Sequence, residues 1–162
     1  MSEAPSLPRR AERQTDQPPR NLPWPGPDDD TVVVDTTWGH LQPHTPVAGV
    51  RTVGEVEVLD LLGRGAMLID TRVADSRSGF TLPGAQHVPH DRIENLVLPD
   101  DDDTVQILFC NGPQCGQTPD ALRTLAGMSW PLDRLAYYRG GLHDWITLGL
   151  PAERLPANGT AG

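Results

Sequence analysis

Two cysteines five positions apart, Cys110 and Cys115, are the residues of this sequence best suited to covalent chemistry. The thiolate, not the thiol, is the nucleophile, so what surrounds each sulfur decides its reactivity. Cys110 directly follows Val105-Gln106-Ile107-Leu108-Phe109, an apolar run of strand length, and it opens the loop Asn111-Gly112-Pro113-Gln114-Cys115-Gly116-Gln117. Thr118-Pro119-Asp120 then reads as a helix start, with a capping hydroxyl, a proline at the first helical position and an acid in the first turn. Loop amides and the positive end of that helix can converge on a sulfur anion without any cationic side chain. A plain reading stands beside this one, in which a cysteine at a strand end is a small buried hydrophobe. Cys115 is closer to the helix start and is the alternative nucleophile. As a second thiol, it could also attack a sulfur-loaded Cys110, release sulfide and leave a disulfide.

Other chemistries are narrowed by what the sequence holds. All 13 basic residues are Arg, so Schiff-base and lysine-base mechanisms lack their residue. Structural zinc wants paired ligands at short spacing, and the candidates beside the cysteines are His40 with His44 and His87 with His90. Pro43 and Pro89 interrupt these pairs, which suits exposed or hydrogen-bonding histidines; no metal and no cofactor are expected.

The elements that must position the cysteines follow from periodicity. Thr52-Val53-Gly54-Glu55 has the form of a capping box, and Val56, Leu59 and Leu62 follow at helical spacing before Gly63 and Gly65. Met67-Leu68-Ile69-Asp70-Thr71 reads as a buried strand ending near Asp70, Gln86-His87-Val88 as a short strand, and Asp91-Arg92-Ile93-Glu94 as another possible box. Leu135-Ala136-Tyr137-Tyr138 reads as a strand, Gly140-Gly141 as a turn, and the segment through Trp145 and Leu148 as a short helix stopped by Gly149 and Pro151. Tyr138 and Trp145 are expected in the core, and Trp130 beside Pro131 closes the preceding helix. Strands alternating with helices imply an α/β domain with a mostly parallel sheet covered on both faces, whose reactive crevice lies beyond the strands' carboxyl ends.

Four motifs in order carry a family resemblance: Leu68-Ile69-Asp70-Thr71-Arg72, Leu82-Pro83-Gly84-Ala85-Gln86-His87-Val88-Pro89, Phe109-Cys110 with its loop, and Gly140-Gly141-Leu142-His143-Asp144-Trp145 to Gly149-Leu150-Pro151. Over residues 52–151 the chain resembles a rhodanese domain. The resemblance implies a five-stranded, mostly parallel sheet and a sulfurtransferase reaction. In that reaction Cys110 takes sulfane sulfur from a donor such as thiosulfate, holds it as a persulfide and hands it to a thiophilic acceptor. It further implies that Asp70 and Arg72 brace the active loop. Two features depart from the family. Cys110 to Thr118 spans eight positions where six are common, and Cys115 adds a second loop thiol, followed by Gly116 where small bacterial two-cysteine members often carry Trp. Phosphatases sharing this fold need an Arg in the loop to bind phosphate bidentately; none lies between Cys110 and Thr118, and Arg123 is expected at the surface or rim. The alternative to catalysis is a redox-sensing or non-catalytic module using the Cys110/Cys115 pair.

The whole chain has 162 residues, 37% hydrophobic, which suits one domain with polar ends. Residues 1–30 hold Pro5, Pro8, Pro18, Pro19, Pro23, Pro25 and Pro27 and read as a disordered tail; residues 31–151 read as the domain and 152–162 as a flexible end. Thr31-Val32-Val33-Val34-Asp35 suits a short strand at the domain edge, with Trp38 anchoring the loop after it. A formal charge of −9 opposes nucleic acid and anionic membrane as partners. With neither an apolar run of spanning length nor a secretory h-region, the expected compartment is the cytoplasm. The expected partners are small-molecule or protein-thiol sulfur donors and acceptors.

Overall fold

The structure, a computed structural model, describes residues 41–77 and 79–156, residue 27, and short strands within 9–11, 24–25 and 31–33. In chain order the strands are β1 (Arg9–Ala11), β2 (Trp24–Pro25), β3 (Thr31–Val33), β4 (Arg51–Val53), β5 (Met67–Asp70), β6 (Phe80–Thr81), β7 (Gln86–His87), β8 (Gln106–Phe109), β9 (Leu135–Tyr138) and β10 (Glu153–Arg154); the α-helices are α1 (Glu55–Gly63), α2 (Gln117–Gly127) and α3 (Gly141–Thr147).

Five strands form a parallel sheet in the order β4-β9-β8-β5-β7, the α/β architecture expected from the alternation of strands and helices. Every residue of β8 and β9 is buried, which explains why these segments are continuous apolar runs rather than alternating ones. The two faces separate cleanly. Ile69, Leu108, Leu135 and Tyr137 pack with Leu122 and Leu125 of α2 and with Ile93, whereas Leu68, Ile107, Phe109, Ala136 and Tyr138 pack with Val58 of α1 and with Leu142 and Trp145 of α3. Each such side chain contributes about 1.5–3 kcal/mol through burial. From β5 the chain goes on to β7 at one side, and from β8 to β9 at the other. The carboxyl ends of β5 and β8 therefore flank the switch point, where a parallel sheet opens a crevice. Asp70 ends one strand and Cys110 follows the other.

Several local expectations shift. The helix predicted to be capped from Thr52 begins at Glu55, because Arg51–Val53 pair in parallel with Ala136–Tyr138. Its box is two residues later than predicted: the Glu57 carboxylate accepts the Gly54 N–H at 3.1 Å. Val56 and Leu59 face solvent, and Val58 is the buried residue of α1. Thr118 does not cap α2. Helix geometry begins at Gln117 with Gly116 as its cap residue, and the Thr118 hydroxyl bonds Thr71 Oγ1 instead, at 2.7 Å. Residues 91–94 fall in a 3-10 helix, His90–Asn95, rather than a boxed α-helix start.

Thr31–Val33 does form a strand, but it joins β1 and β2 in a separate three-stranded sheet rather than the edge of the main one. β1 and β2 lie in the segment read as a tail, and β10, also in a segment read as an end, pairs antiparallel with β6. Trp38 and His40 lie outside the described residues. Tyr138 and Trp145 are buried as expected, in an edge-to-face contact with ring centroids 6.1 Å apart. No helix among the described residues is long and apolar enough to cross a membrane.

Candidate active site

The switch point holds a charged core. Asp70 and Arg72 are both wholly buried, and the guanidinium grips the carboxylate with Nε to Oδ1 at 2.9 Å and Nη2 to Oδ2 at 2.8 Å. The Arg72 amide adds a bond to Oδ1 at 3.1 Å, while Thr81 Oγ1 and Arg77 Nε bond Oδ2 at 2.8 and 3.0 Å. Burial pushes the Asp70 carboxyl up, but hydrogen bonds and charge from Arg72 outweigh it and hold the group below the ordinary carboxylate value. Arg72 then reaches the active loop: its Nη1 donates to Asn111 Oδ1 at 3.0 Å and its Nη2 to the Phe80 carbonyl at 2.8 Å. Arg72 thus joins the Asp70 carboxylate to Asn111, the residue after Cys110.

The loop is tied at both ends and in the middle. Asn111 Nδ2 donates to the Ser76 carbonyl at 3.2 Å. Gln117 Oε1 accepts the Val73 N–H at 2.8 Å, and its Nε2 donates to Ser76 Oγ at 3.0 Å. On the other side, the amides of Leu142 and His143 donate to the carbonyls of Cys110 and Asn111 at 3.1 and 2.8 Å. This approach requires Gly141. Its φ is +58°, and a Cβ there would lie 2.3 Å from the Cys110 carbonyl oxygen and 3.0 Å from the Gly112 nitrogen. The backbone role expected of Gly140-Gly141 is thus a contact with the active loop itself. Over the mouth, the Gln42 amide donates to the Pro113 carbonyl at 2.8 Å, and Arg139 Nη2 holds the Gln42 carbonyl at 2.7 Å. Gln114 stands beside Cys115 within the same loop, half-buried.

Inside this frame both cysteines are buried. The Cys110 sulfur lies 3.5 Å from both the Thr118 amide and the Cys115 carbonyl. The neighbouring Cys110 thiol pulls the Cys115 thiol down to about 6, assisted by the amides of Gln117 and Asn111 and the charge of Arg72. Burial and the neighbouring sulfur push the Cys110 thiol well up. The Thr118 amide thus faces the Cys110 sulfur, while the thiol held low is that of Cys115. Cys110 is 1% exposed and Cys115 4%, so a reagent must enter past the rim made by Gln42 and the loop.

A family model described as a Rhodanese-like domain matches residues 55–148, from the start of α1 to just past α3, both cysteines included. The chain belongs to the rhodanese-like domain family. Solved structures agree on the fold. The thiosulfate sulfurtransferase from Pseudomonas aeruginosa matches at 25% identity and a TM-score of 0.51, over 64% of this chain and 20% of that one, so this chain spans a fifth of that protein. The BH2092 protein from Bacillus halodurans matches at 19% identity and a TM-score of 0.51, over 64% of this chain and 76% of that one. A Rhodopseudomonas palustris protein described as of unknown function and a possible tyrosine phosphatase matches at 20% identity and a TM-score of 0.52, over 71% of this chain and all of that one. No curated protein matches the sequence.

Residue-level reasoning missed several contributors. Arg77 and Ser76 sit in a 3-10 turn and its cap with no motif of their own, and Gln42 precedes the matched region. His143 lies within a quoted motif but had no assigned role; its Cβ would stand 3.0 Å from a side chain at Gly112, and its Nδ1 pairs with Asp144 Oδ1 at 2.8 Å. Among the described residues the other histidines have partners: His44 is exposed beside Thr45, His87 bonds the Arg72 carbonyl and His90 bonds Asp120. Arg123 is exposed, as expected at a rim.

Proposed function

We propose that this rhodanese-like domain is a sulfurtransferase that carries sulfane sulfur as a persulfide on Cys110. The single observation behind the reading is the buried Cys110 sulfur at the carboxyl end of β8, with the Thr118 amide 3.5 Å from it. The deprotonated Cys110 sulfur, facing the Thr118 amide, attacks the outer sulfur of thiosulfate. The donor's S–S bond breaks and sulfite leaves, with the persulfide anion retained on Cys110. Donor and acceptor are small molecules or protein thiols, for which the P. aeruginosa relative's description as a thiosulfate sulfurtransferase is a precedent in another protein.

Phosphatase chemistry is disfavoured by the same site. Arg72, the buried guanidinium nearest the loop, is spent on Asp70, Asn111 and the Phe80 carbonyl, and Arg123 is exposed. The closeness of the Cys110 sulfur to Cys115, 3.5 Å from its carbonyl, also favours a second reading, a redox module that forms a Cys110–Cys115 disulfide without any sulfur donor. Thiosulfate treatment of Cys115→Ser separates the two. Sulfur transfer gives an adduct of about 32 Da on the Cys110 peptide that cyanide discharges as thiocyanate, absent from Cys110→Ser. No adduct in either protein, with oxidant lightening the native chain by about 2 Da, favours the redox module.

A further inference from the structure

We propose that Cys115 is the internal acceptor of the sulfur, so that the domain releases hydrosulfide from its own persulfide and is recycled by an external dithiol. This rests on the sulfur-transfer reading above and specifies its acceptor. The loop is folded for it. The Cys115 amide turns back to the Gly112 carbonyl at 3.0 Å, and the Cys110 sulfur lies 3.5 Å from the Cys115 carbonyl. Both flanks are anchored, Asn111 by Arg72 and Gln117 by Val73 and Ser76, so closing a disulfide asks for motion chiefly within residues 112–116. The competing external acceptor is at a disadvantage: it must reach a sulfur that is 1% exposed, whereas Cys115 is already beside it. An adjacent, oriented nucleophile acts at an effective concentration far above any millimolar thiol in solution.

The atoms and charges balance. Loading releases the Cys110 proton to solvent and leaves a persulfide anion on Cys110. In the second step the Cys115 thiol gives its proton to the outer sulfur, and its thiolate attacks the Cys110 sulfur. The S–S bond of the persulfide breaks, hydrosulfide leaves, and a Cys110–Cys115 bond forms. An external dithiol then reduces this disulfide by exchange and is itself oxidised. Over a cycle thiosulfate becomes sulfite and sulfide at the expense of one dithiol.

The test is anaerobic addition of thiosulfate to the full chain with no reductant, so that oxygen cannot make the disulfide, followed by sulfide quantification and intact mass. We expect about one hydrosulfide per native chain and a product about 2 Da lighter, with the link mapped to Cys110 and Cys115. Cys115→Ser should hold the adduct of about 32 Da and release no sulfide until a thiol is added. A native chain that keeps a stable adduct and releases nothing overturns the internal acceptor while leaving sulfur loading intact. So does sulfide release from Cys115→Ser equal to that of the native chain. If the native chain releases sulfide but Cys115→Ser never loads, the order of the two sulfurs is wrong. If the native chain gives neither adduct, sulfide nor mass loss, sulfur loading itself fails.

Discussion

Replacing Arg72 by Leu tests whether the buried charge network, rather than apolar packing alone, holds the active loop. Leu keeps much of the aliphatic stem but removes two bonds to Asp70, one to Asn111 and one to the Phe80 carbonyl from a site with no solvent access. Breaking a buried ion pair by deleting one partner costs about 3–5 kcal/mol, because the other charge is left uncompensated. Here Arg77 still holds Asp70 Oδ2 at 3.0 Å, which places the expected loss near the lower end, about 3 kcal/mol. With a urea slope of about 1 kcal/mol per molar for a domain of this size, the midpoint should fall by about 3 M. A double substitution, Arg72→Leu with Asp70→Leu, should recover part of the loss by removing the stranded carboxylate, although Arg77 then loses its partner. The assay is equilibrium urea unfolding of the four proteins of the cycle. A single Arg72→Leu within about 0.5 kcal/mol of the native chain, the range of an ordinary surface change, would refute the network's role.

Three further outcomes follow from the same geometry. Gly141→Ala forces a Cβ into the Cys110 carbonyl at a positive φ and should lose at least about 2 kcal/mol of stability together with sulfur loading; thermal melts and adduct formation check it, and a native-like variant contradicts the close approach. The Tyr137 hydroxyl is buried with no hydrogen-bond partner among the described residues, so Tyr137→Phe should leave stability unchanged or raise it by about 1 kcal/mol in urea titration, and a clear loss would mean the hydroxyl has a partner. Because Cys115 is lowered to about 6, its thiolate is present above that pH and is lost as pH falls through it. Ultraviolet thiolate absorbance should therefore drop around pH 6 in the native chain, shift upward in Cys110→Ser, and show no such step in Cys115→Ser, where burial holds the remaining Cys110 thiol up. Titration of the native chain only above pH 8 contradicts the paired thiols.

Most of the frame was legible because buried parallel strands are written as short apolar runs: β5, β8 and β9 lie within the segments read from 67–71, 105–109 and 135–138. Cys110 could be placed at a strand's end for the same reason. What was not legible depends on contacts between distant residues. Thr118 has the local chemistry of a cap, but Thr71, 47 positions away, takes its hydroxyl. Thr52 has the spacing of a capping box, but pairing with β9 claims its backbone. The division of charge between the cysteines depends on where the amides of Asn111 and Gln117 point once the loop is closed, and C-x4-C spacing alone carries no such information. Arg77, Ser76 and Gln42 reach the site from turns and a leading segment whose local sequence marks nothing.

The central claim, that this domain takes sulfane sulfur onto Cys110, is tested most directly by measuring sulfite released from thiosulfate, chain for chain. The account predicts about one sulfite per native chain in a single turnover without reductant, and none from Cys110→Ser. Equal sulfite from Cys110→Ser, or none from the native chain, would contradict it.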